Sequence, residues 1–538
     1  MPRKKKLAKA ATTSNHSKLV NQLWQAAVNL RGSIEPADYK RYVLPIVFLR
    51  FLSLRYERRR GELENFIAEP TSGYHTDDKK AAREILHDPD EYHSVGAFIV
   101  PEKARWSYIL KNAQADDIKV KLDDALEALE KAYPEKLRGL LPRIFAGSNL
   151  ARENVTGLIN LFSKDVFKDD HGGADLIGKV YEYFIGEFAD SEGKRGGEYF
   201  TPVSIVKTLV AMLEPEQGIV FDPCCGSGGM FVQSDLFTDH NRRLSFYGQE
   251  SKEFTYRLCR MNLFIHGLDG DIRLGNSYFD DPHAKVRADY VLANPPFNDG
   301  SKSESGWGAD RVPDKDPRLT LGNDRMPVSP RNANTMWILH FLHHLKNGGT
   351  AGFVMATGEL SNSETARLTV RKTLIEQGYV DCIVQLTGQL FANTQIPCSL
   401  WFLSRNRNGS DGYRERGQEI LFIDGRKLGT LIPGSRKQKE LSAKEIERIA
   451  GVYRVFKRKG VPPAVPGFCK VASLAEIAEH NWALTPGRYI ETENDNDDDE
   501  PFEERYPRLV DRLRSQFELG RSLEEEIATQ LAQVENGS

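Results

Sequence analysis

The feature that most constrains the fold is a glycine-rich turn that follows a short apolar run. Residues 218–222 end at Asp222, the turn contains Gly226, Gly228 and Gly229, and an apolar helix start follows. A strand, a glycine turn and a helix form the first unit of a doubly wound α/β sheet, where glycines let the backbone approach a ligand closely. The pattern is neither a phosphate loop, which needs a following Lys-Ser/Thr, nor G-x-G-x-x-G.

Further apolar runs predict the neighbouring strands. One run ends at Glu250, 24 residues after Gly226, which is about where a carboxylate meets ribose hydroxyls in such a unit. A second run ends just before Asn276 and a third just before Asn294. Because the carboxyl ends of parallel strands share one edge, we expect these polar residues there together. Later strands are predicted at residues 352–356, 380–385 and 398–403.

The tetrapeptide Asn294-Pro295-Pro296-Phe297 predicts the chemistry of that edge. The Asn294 side-chain oxygen and the Pro295 carbonyl can each accept one N–H of an exocyclic amine, which frees the nitrogen lone pair. The Phe297 ring can hold a flat base by stacking, worth roughly 1–3 kcal/mol. Aligned acceptors favour the transition state without a general base. The pattern therefore indicates methyl transfer to an amino nitrogen, with a plain strand-to-turn boundary as the alternative for the tetrapeptide alone.

Taken in order, residues 197–202, residues 222–229, Glu250 and residues 294–297 resemble the S-adenosylmethionine-dependent DNA adenine-N6 methyltransferases. More narrowly, the chain resembles the modification (M) subunits of type I restriction–modification systems over nearly its whole length. The resemblance implies S-adenosyl-L-methionine as the cofactor. It implies cofactor-binding roles for Gly197, Glu198, Tyr199, Phe200, Thr201, Pro202, Val203, Asp222, Gly226, Ser227, Gly228, Gly229, Glu250 and Asn276.

Two positions depart from the family pattern. Cys224-Cys225 stands where small residues such as Ala are usual, and Asn276 stands where Asp is common. The second departure leaves open whether Asn276 contacts adenine or the cofactor. Asp222 is a weaker member of the set, because its carboxylate has the alternative role of stabilising the turn.

The resemblance also implies the catalytic residues and the state of the target. These are Asn294, Pro295, Pro296, Phe297 and Phe391, with Phe391 on the other face of an adenine that has flipped out of the duplex. An ordinary core aromatic is the alternative for Phe391. Residues 298–334, rich in Gly, Ser, Asp and Pro, are predicted to be a lid or DNA-facing loop, with a disordered insert as the alternative.

The family implies partners as well. They are double-stranded DNA, a specificity subunit, a second copy of the M subunit and, where one exists, a restriction subunit. Too few residues follow the last motif for target-recognition modules, so we expect sequence reading to lie on another chain. Apolar residues from Phe502 to Val534 recur every three or four positions, which predicts an amphipathic helix or pair of helices, broken near Gly520, that docks on the specificity subunit.

Length and charge predict the organisation. The 538 residues divide into a helical N-terminal domain at 1–165, a methyltransferase domain at 166–480, and a linker with a helical tail at 481–538. The net charge of −3 excludes a generic polyanion binder. The basic groups at residues 2–6 and 50–60 are read as solvated faces, with phosphate contact as the alternative.

Several patterns predict a cytoplasmic protein without metal. The apolar residues 42–54 are interrupted by Arg50 and are too short to span a bilayer, and no apolar run follows the basic start. The six cysteines show no Cys-x-x-Cys spacing, which indicates a reducing compartment. His340 and His344 are spaced as in H-E-x-x-H, but Phe341 replaces the Glu, so we predict a surface or core-edge histidine group.

Two other functions stay open from the sequence. One is methylation of another amino nitrogen, either guanine N2 in ribosomal RNA or a protein glutamine amide. The other is a non-catalytic DNA-binding or assembly subunit with a vestigial fold. The Tyr-Phe-Thr-Pro segment and the helical regions favour adenine in DNA, and intact Asn294, Pro295 and Glu250 argue against a vestigial site.

Overall fold

The computed structural model describes residues 36–164, 201–241, 243–300, 306–313, 315–391, 394–410, 412–433, 435, 437–458, 460–491 and 502–535. Four residues of the predicted cofactor set lie outside the described residues: Gly197, Glu198, Tyr199 and Phe200. The basic segment 2–6 and residues 492–500 of the acidic linker also lie outside them.

The N-terminal part of the described chain is helical, as predicted. Its first helix is buried on all sides between Val43 and Leu49, which places it at the centre of its own core, and the other helices pack around it. The helices are α1 (Pro36–Ala68), α2 (Lys79–His87), α3 (Pro89–His93), α4 (Trp106–Lys111), α5 (Ile118–Ala132), α6 (Pro134–Leu137) and α7 (Arg152–Phe162).

Two arginines of α1, Arg50 and Arg59, are buried in the helical domain, so the prediction of a solvated face at residues 50–60 is wrong for them. Arg50 is buried and its Nε donates to the Phe162 carbonyl at 3.1 Å. Arg59 is buried and donates to the carbonyl and carboxylate of Glu91 at 2.8 and 3.0 Å. Burying a guanidinium is tolerated because carbonyl and carboxylate acceptors satisfy its donors.

The second part of the described chain is built on a nine-stranded mixed sheet. Its strands are β1 (Gly218–Asp222), β2 (Leu244–Glu250), β3 (Gly270–Leu274), β4 (Ala288–Ala293), β7 (Leu345–Ala356), β8 (Val380–Leu386), β9 (Cys398–Ser404), β10 (Glu419–Gly425) and β13 (Cys469–Ser473). Their order in the sheet is β13-β10-β8-β9-β7-β4-β1-β2-β3. The neighbouring pairs from β3 to β7 in this order are parallel, as is β8 with β10, whereas β9 runs antiparallel to both β7 and β8, and β13 runs antiparallel to β10.

Helices cover both faces of this sheet, so the predicted doubly wound α/β class is confirmed. Successive strand residues point to opposite faces: Val220 packs in one apolar layer and Phe221 in the other. The first layer includes α8 (Val203–Leu213), α9 (Gly229–Phe237), α10 (Glu253–Ile265) and α13 (Ala443–Arg458). The second includes α11 (Asn334–His344), α12 (Thr365–Glu376) and α14 (Leu474–Glu479).

Four short strands lie outside the sheet and form two hairpins. They are β5 (Thr320–Leu321) with β6 (Asp324–Arg325), and β11 (Thr430–Leu431) with β12 (Lys439–Glu440). The second hairpin contacts the loop that contains Phe391, since the Lys439 N–H donates to the Gln389 carbonyl at 2.8 Å.

The C-terminal tail is one helix, α15 (Phe502–Glu535), so the predicted break near Gly520 is wrong. A glycine inside a helix costs only about 1 kcal/mol relative to alanine, and the flanking residues are good helix formers. Seven large apolar side chains on α15 are 48–61% exposed: Tyr506, Leu509, Leu513, Phe517, Leu519, Leu523 and Ile527. In the described part of the chain, no helix has the length and apolar character needed to cross a membrane.

Candidate active site

The glycine turn lies at the carboxyl end of β1 and opens into α9. Gly226 and Gly228 have φ angles of +55° and +80°, a region that side chains rarely adopt. A Cβ built on Gly226 meets nothing within 4 Å, so the space over this part of the turn is open. A Cβ on Gly228 comes within 3.0 Å of the Cys259 sulfur on α10. The turn thus offers open backbone on one side and close packing on the other, which fits a backbone-bound ligand.

Glu250, at the end of β2, is joined directly to this turn. Its carboxylate is 7% exposed and accepts the Gly226 N–H at 3.0 Å and the Lys252 N–H at 2.8 Å. The structure therefore brings together Gly226 and Glu250, which the sequence had paired by spacing alone. Two backbone donors hold the carboxylate in one orientation at the edge where ligands bind in open α/β sheets.

Asp222 is buried beneath the turn and accepts the Cys224 N–H at 3.0 Å. Burial raises the pKa of its carboxyl to about 7; the Cys224 N–H opposes that shift and the nearby Glu250 charge adds to it. This geometry supports the alternative stated above for Asp222, in which its carboxyl stabilises the turn.

Asn276 follows β3 at the same edge, and its side-chain oxygen accepts the Tyr278 N–H at 3.0 Å. The neighbouring Ser277 was missed by the sequence analysis. Its hydroxyl lies 2.6 Å from the Pro223 carbonyl and 2.7 Å from the Gln249 side-chain oxygen. A serine after a strand gives no signal of its own, yet it ties the β3 loop to the glycine turn.

A second missed residue supports the turn from α10. The Asn262 side-chain amide is buried and donates to the Ser227 carbonyl at 2.9 Å. It satisfies a carbonyl of the turn that no helix or strand accommodates. Its position, nine residues into an ordinary helix, gave the sequence analysis no reason to select it.

Asn294 follows β4, and its side-chain nitrogen donates to the Thr201 hydroxyl at 2.9 Å. This bond directs the nitrogen toward Thr201 and therefore turns the side-chain oxygen away from it. Thr201 and Pro202 immediately precede α8, whereas the predicted cofactor residue Val203 is its first residue and is 47% exposed. Thr201, selected only for cofactor binding, thus also orients the Asn294 side chain.

Phe297 and Phe391, which the resemblance places on the two faces of a flipped adenine, are neighbours in the structure, but their rings are perpendicular. Their ring centroids are 6.3 Å apart and the ring planes meet at 87°. A base stacked on both needs parallel rings about 7 Å apart, twice an aromatic contact distance. In the structure, therefore, the two rings do not form a parallel slot, and Phe391 is buried.

The segment 298–334 was predicted to be a lid or DNA-facing loop, with a disordered insert as the alternative. Its described part is packed, so the disordered insert is wrong for those residues. Trp307 is buried and its Nε1 donates to the Ser329 carbonyl at 2.8 Å. Arg318 is buried too, pairs with Asp316, and donates to the carbonyl of Ser277 at 2.5 Å.

His340 and His344 are fully buried in the sheet domain, so the predicted surface or core-edge position is wrong for both. With Asp281 they form a group whose ligand atoms lie within 4.8 Å of one another. Arg318 donates to His340 Nδ1 at 3.0 Å, which puts the proton of the neutral ring on Nε2. That tautomer leaves Nε2 without a lone pair for a metal, and the predicted absence of a metal stays a prediction.

Comparison with known families covers most of the chain. Residues 172–498 match the N-6 DNA Methylase family, and residues 19–164 match the HsdM N-terminal domain. The chain is 40% identical to the type I restriction enzyme MjaIX methylase subunit of Methanocaldococcus jannaschii, over 92% of this chain and 87% of that protein. It is 39% identical to the HindI methylase subunit of Haemophilus influenzae, over 76% of this chain and 91% of that protein.

Solved structures share the fold. The methyltransferase subunit of a type I restriction–modification system from Streptococcus thermophilus superposes with a TM-score of 0.67 at 24% identity, over 88% of this chain and all of that one. A chain from a type I restriction–modification complex superposes with a TM-score of 0.57 at 18% identity, over 96% and 99% of the two chains. The match to the family models and the 40% identity together assign this chain to the N-6 DNA methylases, as a methylase subunit of the type I restriction kind.

Proposed function

We propose that this chain is the catalytic subunit that transfers a methyl group from S-adenosyl-L-methionine to N6 of an adenine in DNA. A separate specificity subunit selects the sequence. One observation carries the proposal: the hydrogen-bonded pair of Asn294 and Thr201 lies at the same sheet edge as the glycine turn and Glu250. A ribosomal RNA or protein acceptor is disfavoured, because the matching family is that of the N-6 DNA methylases.

The residues at the turn suit the cofactor. S-adenosyl-L-methionine, when bound, supplies an electrophilic methyl group. Glu250 would accept hydrogen bonds from its ribose, since a carboxylate held by two backbone N–H groups retains further lone pairs. The open backbone at Gly226 would lie against it. We assign Ser227, Gly228 and Gly229 to the same surface, together with residues 201–203, and propose cofactor contacts for residues 197–200 from the family resemblance alone.

Asn294 and Pro295 would activate the acceptor. With its nitrogen committed to Thr201, Asn294 presents its side-chain oxygen to one N–H of the adenine amine. The Pro295 carbonyl accepts the other N–H. Both bonds pull the amine out of conjugation with the ring and so raise the nucleophilicity of N6. The acceptors are held in place before the base arrives, and positioning supplies most of the acceleration.

Phe297, Pro296 and Phe391 would hold the flipped base. Because the two rings are perpendicular at 6.3 Å, one ring rotates to make a parallel slot when the base enters. The energy of stacking offsets part of the cost of unpairing, which is a few kcal/mol.

The partners follow from surfaces and from the family. The apolar stripe of α15 is the proposed contact with the specificity subunit, since seven half-exposed apolar side chains on one helix need a cover. Duplex DNA, a second M subunit and, where one exists, a restriction subunit complete the assembly. We further propose domain limits of 1–165, 166–480 and 481–538, and a cytoplasmic location, where the six free cysteines stay reduced.

A base-resolved methylation map of the host genome tests the proposal. The map compares the intact gene, a deletion, and the deletion complemented by wild type, by Asn294→Ala or by Asn406→Ala. We expect N6-methyladenine to vanish from one recognition sequence in the deletion and to stay absent with Asn294→Ala. Asn406 is a buried asparagine in the loop after β9, so Asn406→Ala should restore the mark. An unchanged map in the deletion strain would overturn the assignment to DNA.

A further inference from the structure

A buried chain of side chains lies behind the Asn294–Phe297 loop and has no part in the steps above. Directly after Phe297, Asn298 has a φ of +54°, in the left-handed region. Asparagine tolerates this region better than most residues, but the conformation still has to be held by its surroundings. The residue that holds it is Asn334, the first residue of α11.

The Asn334 side chain forms two hydrogen bonds with Asn298. The Asn334 side-chain oxygen accepts the Asn298 N–H at 2.9 Å, and its side-chain nitrogen donates to the Asn298 side-chain oxygen at 3.0 Å. Asn332 donates to that same oxygen at 3.0 Å. These bonds fix the backbone at the exit of the loop, one residue beyond the stacking ring of Phe297.

Asn334 is in turn held by charged groups that are fully buried. Its side-chain nitrogen also donates to Glu359 at 2.9 Å, and Glu359 is 1% exposed. Arg367 forms an ion pair with Glu359, and Arg371 donates to the Glu359 carbonyl at 3.1 Å. Burying a carboxylate and two guanidinium groups is costly unless each one is paired or hydrogen-bonded; Glu359 pairs with Arg367, and Arg371 donates to backbone carbonyls. Because Glu359 is fixed by these contacts, the Asn334 amide that donates to it is held in one orientation.

The segment 298–334 begins and ends at the same place in the fold. The Ala333 N–H donates to the Asp299 carbonyl at 2.9 Å, and a Cβ on Gly300 would come within 2.1 Å of the Arg331 carbonyl oxygen. The two ends of the packed segment 298–334 are therefore joined behind the Asn294–Phe297 loop. Both ends of that loop are anchored: Thr201 holds Asn294 at its start, and Asn334 holds Asn298 at its exit.

We propose that Asn334, supported by Glu359 and Arg367, is a positioning residue for methyl transfer. It aims Phe297 and the Pro295 carbonyl at the flipped base without touching the base. This inference rests on the proposed function. In the part of the chain that the structure describes, the network contacts the base side of the site and no residue of the glycine turn. It therefore sets turnover and leaves cofactor affinity unchanged.

The test uses the assembled complex with its specificity subunit, and a DNA duplex carrying the recognition sequence. Asn334→Ala should lower kcat about 10- to 100-fold, the range expected from a misplacement of about 1 Å. The Kd for S-adenosyl-L-methionine should change less than twofold. With 2-aminopurine at the target adenine, the fluorescence of the flipped base should differ from that of wild type, because the base is stacked differently. Asn406→Ala, also a buried asparagine, should change none of the three.

A second pair of variants covers the case in which Asn334→Ala does not fold. Asn298 is exposed, so its substitution leaves the core intact. Asn298→Gly should retain several-fold more activity than Asn298→Ala, since glycine adopts a φ of +54° without strain.

Equal activity of the two Asn298 variants would overturn the positioning role. A parallel loss of kcat and cofactor affinity in Asn334→Ala would do the same. A wild-type complex that forms no N6-methyladenine would instead refute the proposed function itself, so the two failures are distinct.

Discussion

The proposed cofactor side and the proposed base side of this site are built in different ways. On the cofactor side, each bond that joins neighbouring loops uses a backbone atom of the glycine turn: the Gly226 N–H with the Glu250 carboxylate, the Cys225 N–H with the Gln249 carbonyl, and the Pro223 carbonyl with the Ser277 hydroxyl. On the base side, the Asn294–Phe297 loop contacts side chains from Thr201 just before α8, from α11 and from the loop before β9, which are far apart in sequence.

This difference follows from what each side receives. A small cofactor arrives alone, so a turn of backbone atoms that is already rigid suffices. A base has to be drawn out of a duplex and inserted between two rings that fill the slot with an edge-to-face contact. The base side therefore needs a rigid part, the anchored acceptors, beside a part that moves, the phenylalanine pair. Substitutions on one side should accordingly leave the other side unchanged.

The largest effect is expected from Glu250→Ala on the cofactor side. Loss of a carboxylate that accepts two N–H groups should weaken cofactor binding by about 10- to 100-fold, since hydrogen bonds to charged groups contribute roughly 1.5–3 kcal/mol. Calorimetric titration with S-adenosyl-L-methionine measures the Kd. Glu253→Ala, an exposed glutamate three residues later, is the control. An unchanged Kd in Glu250→Ala would remove Glu250 from the cofactor site.

The next effect is expected on the base side. Phe297→Leu and Phe391→Leu should each lower kcat/KM for DNA by roughly 10-fold, because each removes one stacking surface worth about 1–3 kcal/mol. Cofactor Kd should stay within twofold of wild type. Phe237→Leu, at a half-exposed phenylalanine on α9, is the control and should change neither constant. If Phe391→Leu alone has no effect, Phe391 is a core aromatic and the base stacks on a single ring.

A smaller effect is expected at the residue that joins the two sides. Thr201→Val keeps the shape of the side chain but removes the acceptor for the Asn294 nitrogen, so kcat should fall about 3- to 10-fold, as for one neutral hydrogen bond. Thr201→Ser should restore the rate because it keeps the hydroxyl. Single-turnover methyl transfer with saturating cofactor measures this step. A Thr201→Val enzyme that loses cofactor affinity but keeps its kcat would show that Thr201 contributes to cofactor binding and does not orient Asn294.

The smallest effect concerns stability and pH. Burial raises the pKa of the Asp222 carboxyl to about 7 from 3.8, so the folded state holds a proton that the unfolded state has released. The wild type should therefore lose stability as pH rises from about 4 to about 7, and Asp222→Asn, which cannot ionise, should not lose this part. Melting curves at pH 4.5 and pH 8 measure the Tm of both proteins. The Tm of the variant minus that of wild type should be at least about 2 °C larger at pH 8 than at pH 4.5. An equal difference at both pH values would mean that Asp222 has its ordinary pKa.

The sequence was a good guide wherever a strand end carried its own signal. The glycine turn, Glu250 and Asn294 all follow apolar runs, and a parallel sheet necessarily collects such ends at one edge. The described members of the predicted set lie there, with Val203 on the more exposed start of α8. The doubly wound class followed from the same reasoning.

The sequence was a poor guide to residues that act through contacts between distant segments. Asn334, Ser277 and Asn262 are common polar residues in ordinary surroundings, and only the fold shows which carbonyl or amide each one meets. Residues 298–334 left the disordered insert open for a related reason, and their role as a lid or DNA-facing loop stays a prediction. Their Gly, Ser and Asp content is typical of exposed loops, but a few anchors such as Trp307 and Arg318 are enough to pack the described part of the segment. The continuous helix through Gly520 shows that one glycine does not outweigh good helix formers on either side.

The tail helix α15 also has a consequence for how the protein is produced. It has 34 residues and is therefore about 50 Å long, with seven half-exposed apolar side chains along it. On the proposal that the specificity subunit covers this surface, a chain synthesised in excess of that subunit would leave it exposed, and exposed apolar surfaces promote aggregation. The proposal therefore implies that the cell keeps synthesis of the methylase chain in step with that of the specificity subunit. Expression at unequal gene dosage should leave the surplus chain insoluble.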